Sequence, residues 1–144
     1  LLAQDPRGKK VGSEEFSLKD KEQLITFCNF AVQRISRGLG YTNLEGKTAN
    51  QMHAYVSTNW TRCEETDAVK GAKMGDIVLA CWVNDKGHGH VATVYPDDRP
   101  MLFSGKWGIY CPWVANVGKR NDIIGINYAF AERPELFRAM KIVA

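Results

Sequence analysis

Gly75-Asp76-Ile77-Val78-Leu79-Ala80-Cys81-Trp82-Val83-Asn84-Asp85-Lys86-Gly87-His88-Gly89-His90-Val91-Ala92-Thr93-Val94-Tyr95 is the stretch on which the fold turns. Gly75-Asp76 is a turn signal, and Ile77 to Val83 is a continuous apolar run of strand length. Asn84 to Gly87 is turn chemistry. His90 to Tyr95 reads as a second strand, closed by Pro96-Asp97-Asp98. Two strands across a short polar connection make an antiparallel hairpin.

Upstream, the apolar period changes from strand to helix. Leu24, Phe27, Cys28, Ala31, Val32, Ile35 and Leu39 recur at helical spacing, and Gly38 and Gly40 are stop signals. The stretch from Leu18 to Leu39 is one helix, or two with a break near Ile25 to Phe27, where β-branched Ile25 and Thr26 interrupt the run. Thr26 then caps the second. Thr48 to Ser57 reads as another helix, with Met52, Tyr55 and Val56 on one side. Asn59 to Met74 reads as loop with a short helix near Thr66 to Lys70. Downstream, Met101 to Phe103, Trp107 to Pro112 and Gly125 to Phe130 are strand candidates, and Glu132 to Lys141 a short closing helix. Leu1 to Ser17 is a polar, irregular lead-in, with Ser17 as a helix cap and Asp20 as its acidic partner. Helices first and strands after give an α+β fold, N-terminal helices on an antiparallel sheet. The expected organisation is a lead-in over 1–17 and a single domain over 18–144.

Composition fits one globular domain. The chain has 144 residues, 44% apolar and 24% charged, which excludes wholesale disorder. The net charge of +3 is too small to argue for nucleic acid. No apolar run reaches the roughly 18 residues of a membrane helix. Nothing in the first thirty residues reads as a leader peptide, and there is no internal repeat. The cysteines Cys28, Cys63, Cys81 and Cys111 contain no CxxC pair, which argues against a zinc ribbon or a thioredoxin-type motif. One or two disulfides remain open.

Two residue types can carry chemistry. If a helix begins at Thr26 or Phe27, Cys28 lies in its first turn, where unpaired N–H groups and the helix dipole stabilise a thiolate. Cys28 also shares a helical face with Val32, Ile35 and Leu39, so a core role competes with this reading. Of the three histidines, His53 lies on a helix surface with no evident partner. His88 and His90 flank Gly89 at the start of a strand and point to one face, as a zinc pair would; no further ligand cluster lies nearby in sequence. A cysteine hydrolase instead needs a thiol and an imidazole from separate elements, plus a polar group to orient the ring. A helix cysteine followed by a strand histidine offers that order.

Four pieces together resemble a known family: Thr26-Phe27-Cys28-Asn29-Phe30-Ala31-Val32, Gly46-Lys47-Thr48-Ala49-Asn50-Gln51-Met52, Gly75-Asp76-Ile77-Val78 and Gly89-His90-Val91-Ala92-Thr93-Val94. The chain resembles the papain-like peptidoglycan amidases of the NlpC/P60 and CHAP superfamily, and is similar to type VI secretion amidase effectors and phage endolysin domains. The likeness spans about Leu24 to Val94. In those families a Cys-x-x-Phe-Val-type helix start carries the nucleophile and a Gly-His-Val-Ala-type strand the base. Here Ala31 precedes Val32, and Phe30 stands one position early.

The resemblance implies a papain-like domain with Cys28 as nucleophile and His90 as general base. It implies a third, ring-orienting group on a following strand. Asn116, polar within Val114-Ala115-Asn116-Val117, is favoured, and Cys111 is the alternative. The backbone N–H of Cys28, at a helix start, would help hold the oxyanion. The implied substrate is an amide bond in the peptide stem or cross-link of peptidoglycan, with Asn50, Trp82 and His88 as substrate-binding candidates. Lys119 and Arg120 are candidates to meet substrate carboxylates. No metal or organic cofactor is required. The implied site of action is the periplasm or cell wall, after secretion or delivery, with an immunity-type inhibitor as a partner for an effector; a monomer is expected. The alternatives are a thiol protease or deamidase acting on protein, and a catalytically inactive cell-wall-binding module.

Overall fold

The computed structural model describes residues 18–118 and 120–139, with the backbone alone over 18–27. The expected lead-in and the Ser17 cap lie outside the described residues. So do the Asp20 side chain, Lys119 and the end of the expected closing helix.

Helix α1 runs unbroken over Leu18–Gly38. The expected break near Ile25 to Phe27 is absent, because two β-branched residues cost a helix only tenths of a kcal/mol each. Cys28, Val32 and Ser36 form its buried stripe, while Leu39 lies beyond the helix and is exposed. The helix ends where Gly40 adopts φ +92° and Tyr41 N–H bonds back to Ser36 O at 2.8 Å. Helix α2, Ala49–Asn59, starts on a capping box: Thr48 accepts from Gln51 N–H, and the Gln51 side chain accepts from Thr48 N–H. Ala49, Met52 and Val56 are its buried side.

Strand β1 is Thr61–Cys63 and helix α3 is Glu65–Lys73. The expected hairpin follows as β2, Val78–Trp82, and β3, His90–Val94, antiparallel with Cys81 opposite Val91 and Trp82 opposite His90. Strands β4, Leu102–Ser104, and β5, Ile109–Cys111, form a separate two-stranded ribbon. Strand β6 is Trp113–Asn116, β7 is Asp122–Gly125, α4 is Ile126–Ala129 and β8 is Glu135–Arg138. Gly125 to Phe130 was expected to be a strand; β7 instead ends at Gly125 and the chain turns into α4. The expected helix over Glu132 to Lys141 is instead strand β8 across 135–138. Its neighbours decide this: β8 lies between β1 and β2, pairing with both.

The six-stranded sheet has the order β1-β8-β2-β3-β6-β7, and every pairing in it is antiparallel. Alternation sorts its side chains into two layers. Leu79, Cys81, Val91 and Phe137 pack with Cys28 and Val32 of α1 and Met52 and Val56 of α2. Val78, Ala80, Ala92, Val94 and Leu136 pack on the other face with Ala68, Cys111, Val114, Ile126 and Phe130. Strand β2 is covered on both faces, which explains its unbroken apolar run. The fold is thus α+β with helices on an antiparallel sheet. Among the described residues, no helix is long and apolar enough to cross a membrane.

Two ion pairs fix the connections. Arg133 clamps Glu65 with both carboxylate oxygens at 3.0 Å, and Arg138 Nε meets Asp76 Oδ2 at 2.6 Å. All four cysteines are thiols rather than disulfides.

Candidate functional site

The start of β3 is held in place by Asn50. Its Nδ2 donates to Asn84 O at 3.0 Å and Gly87 O at 3.1 Å, and its Oδ1 accepts from Asn84 N–H at 3.2 Å. This pins the 84–87 loop to α2. Asn50 was expected to bind substrate; its amide is instead engaged on both sides by loop backbone. Gly89 follows in a space with no room for a side chain, since a Cβ there would collide with Trp82 O and Asn50 Oδ1. The sequence Gly89-His90 therefore reflects close approach of two strands.

His90 and Asn116 come together. His90 Nε2 lies 2.6 Å from Asn116 Oδ1, while Asn116 Nδ2 donates to Arg120 O at 2.5 Å. The second bond fixes the amide's orientation and leaves Oδ1 as the acceptor toward the ring. Nε2 therefore carries the proton and Nδ1 has a lone pair, the tautomer a general base needs. Burial pulls the imidazole below its ordinary 6.5, partly opposed by the Asn116 hydrogen bond. The ring is neutral at pH 7.

Cys28 meets β3 at Val91, one residue beyond His90. It is 1% exposed. The backbone N–H groups of Val91, Asn29 and Cys28 itself favour the thiolate, but burial outweighs them and pushes the thiol from 9.0 to about 11. Cys28 was expected in the first turn of a helix. It lies instead well inside α1, so no helix N-terminus assists it. Its layer is the α1 face of the sheet, whereas the His90 ring meets Phe130 on the other.

Trp82 stands directly opposite His90 across the β2–β3 ladder, half-buried against the second layer. His88 is exposed in the loop, where its carbonyl accepts from Asn84 Nδ2. The two histidines thus do not share one environment. Among the described residues no three His, Cys, Asp or Glu side chains cluster as a metal site would require. Cys111, the alternative third residue, is the buried last residue of β5, its thiol directed to Ile109 O at 3.9 Å. It is Asn116, not Cys111, that bonds the His90 ring. Arg120 contributes its carbonyl to Asn116 and lies 3.8 Å from Asp122.

His53 has the partner that sequence did not reveal: Glu135 Oε1 at 3.1 Å from Nε2, with its ring edge-on to Phe137. Sequence reading also missed Phe130, whose ring centroid lies 4.6 Å from that of His90. An aromatic residue after Gly125-Ile126 carried no signal of this contact. A groove of about 920 Å3 opens elsewhere, lined by Ala31, Ile35, Thr93, Tyr95, Ala115 and Ile123 among others; Cys28, His90 and Asn116 do not line it.

Compared with protein-family models and with curated proteins, the chain matches none.

Proposed function

We propose that the protein is a papain-like thiol hydrolase that cleaves an amide bond in the peptide stem or cross-link of bacterial peptidoglycan. The observation that carries this reading is the His90 Nε2 to Asn116 Oδ1 hydrogen bond of 2.6 Å, which leaves Nδ1 as the base. The motif likeness around Cys28 and His90 supplies the nucleophile and the substrate class. At neutral pH the resting pair is thiol and imidazole, since the thiol is pushed to about 11 and the imidazole is held below 6.5. Transfer of the Sγ proton to His90 Nδ1 as sulfur attacks the amide carbon requires the Cys28 side chain to leave the α1 layer and meet the imidazole, which packs on the other face of the sheet. The tetrahedral adduct collapses to a thioester, and the departing amine takes the proton from Nδ1. Water, deprotonated by His90, then releases the carboxylate and restores the thiol. Asn116 holds Nε2–H throughout and stabilises the imidazolium. The reaction is expected to take place in the periplasm or cell wall, with an inhibitory partner if the protein is delivered as an effector.

One observation favours a second reading, a cell-wall-binding module without turnover: Cys28 lies inside a continuous helix with 1% exposure. Incubating purified peptidoglycan with wild type and Cys28→Ala, followed by mass spectrometry, separates the two. Fragments from wild type alone support the hydrolase. Sedimentation with intact wall by both proteins supports the binding module. Fragments from both would remove Cys28 as nucleophile. Casein digestion without wall digestion would move the substrate to protein.

A further inference from the structure

We infer that Phe130 is a positioning residue of this site: its ring lies against His90, holds the imidazole on Asn116 and keeps water from that hydrogen bond. The assignment rests on His90 acting as the general base.

The contact is close and fixed from both sides. The two ring centroids are 4.6 Å apart with planes tilted by 53°, and Phe130 is 4% exposed. Phe130 follows the single turn of α4, and its N–H bonds Ile126 O at 2.9 Å. Ile126 is fully buried and its own N–H bonds Pro112 O at 3.0 Å. The turn is therefore tied to the chain between β5 and β6 before it delivers the ring. On another side of the imidazole, a Cβ at Gly118 would lie 3.7 Å from His90 Cε1, so this backbone also approaches the ring. Asn116, Phe130 and Gly118 together leave the imidazole little freedom to rotate. A ring that can rotate exchanges Nδ1 and Nε2 between roles; a ring that cannot keeps Nε2–H on Asn116 and the lone pair on Nδ1. Apolar contact on its face also removes water that would compete for Asn116 Oδ1.

The titratable or charged groups on the surrounding elements are Asp85, Lys86 and His88 in the preceding loop, Arg120 and Asp122 after β6, and Tyr128 on α4; Cys28 lies on the other face of the sheet. Arg120 and Asp122 are more than half exposed, so solvent screens them. Phe130 is the apolar ring packed on the imidazole.

The test uses nuclear magnetic resonance on the whole chain, with peptidoglycan turnover alongside. In wild type, nuclear Overhauser contacts between the His90 and Phe130 ring protons are expected, with the His90 Cε1 proton displaced by the ring current. Wild-type His90 should titrate below 6.5. Phe130→Leu should raise that value by about half a unit or more, since a less desolvated ring charges more readily. Phe130→Tyr, which keeps the ring, should leave it in place. The acid limb of kcat/KM should move with the titration, and kcat should fall more than KM rises. Absence of the ring contacts in folded wild type, or an unmoved titration in folded Phe130→Leu, overturns the inference. If Phe130→Leu does not fold, the wild-type contacts and the Phe130→Tyr titration decide it. If wild type cleaves nothing while the ring contacts and titration behave as expected, the cage stands and the hydrolase reading falls.

Discussion

At the residue scale, Asn116 links an imidazole to a loop. Its amide bonds His90 on one side and Arg120 O on the other. Asn116→Ala should lower kcat by at least tenfold, because Nε2–H loses its acceptor and the ring its orientation. The buried donor left behind should cost about 1–3 kcal/mol in urea unfolding. Asn116→Asp would keep an acceptor for the ring but lose the donor to Arg120 O, so more activity than in the alanine variant is expected. Gly89 is the second sensitive position. Gly89→Ala drives a methyl into Trp82 O and Asn50 Oδ1. The β2–β3 strands must then part at the end that carries His90, and both melting temperature and turnover should fall together. Gly118→Ala meets only ordinary contact at His90 and should leave both nearly unchanged.

At the element scale, caps and latches determine how firmly the site is held. Thr48→Ala removes the capping box of α2 and should cost about 1 kcal/mol by urea unfolding. Asn50→Ala should do less to the midpoint and more to the loop: amide exchange across 84–87 should accelerate while β2 and β3 stay protected. The elements that were legible in sequence were those whose own pattern settles them. Ile77 to Val83 and His90 to Tyr95 announce a hairpin through apolar runs and turn residues. Thr48 and Gln51 announce a helix start. Strand β8 could not be read this way. Glu135-Leu136-Phe137-Arg138 is four residues long, and its conformation comes from the edges of β1 and β2. Strand β1 is three residues long and pairs with β8 alone in the sheet. Ile126 looks like strand until Gly125 and the Pro112 carbonyl turn it into α4. The same limit applies to the site. His90 and Asn116 stood out by residue type and context, whereas Phe130 is visible only once α4 folds over β3. Asn50 stood out as a polar residue in a matching motif, and the structure shows that its partners are the protein's own backbone.

At the scale of the whole molecule, buried thiols and a buried imidazole set the pH range of stability. Folded Cys28 holds its proton up to about 11, against 9.0 ordinarily. Between those values the unfolded chain binds fewer protons, so stability is full below pH 9 and drains away toward 11. For Cys28 alone the loss is roughly 2–3 kcal/mol. Cys81, wholly buried, shifts in the same direction. His90 acts at the acid end. Its folded value lies below 6.5, so its contribution is present above 6.5 and lost as the pH falls through the folded value. Urea midpoints should form a plateau between these limits and decline on both sides, and Cys28→Ala should soften the alkaline decline.

The place of β8 also bears on how the protein is made. It fills the gap between β1 and β2, yet it is encoded more than fifty residues after β2 begins. During synthesis β2 and β3 leave the ribosome with one flank of the sheet unoccupied, and β1 has no sheet partner at all. The nascent chain must wait, with strand edges bare, until Glu135 to Arg138 emerge. The sheet is complete only once those residues have emerged. Ribosome-bound chains arrested before Pro134 has emerged should be cleaved rapidly by protease, and those arrested well beyond Arg138 should resist.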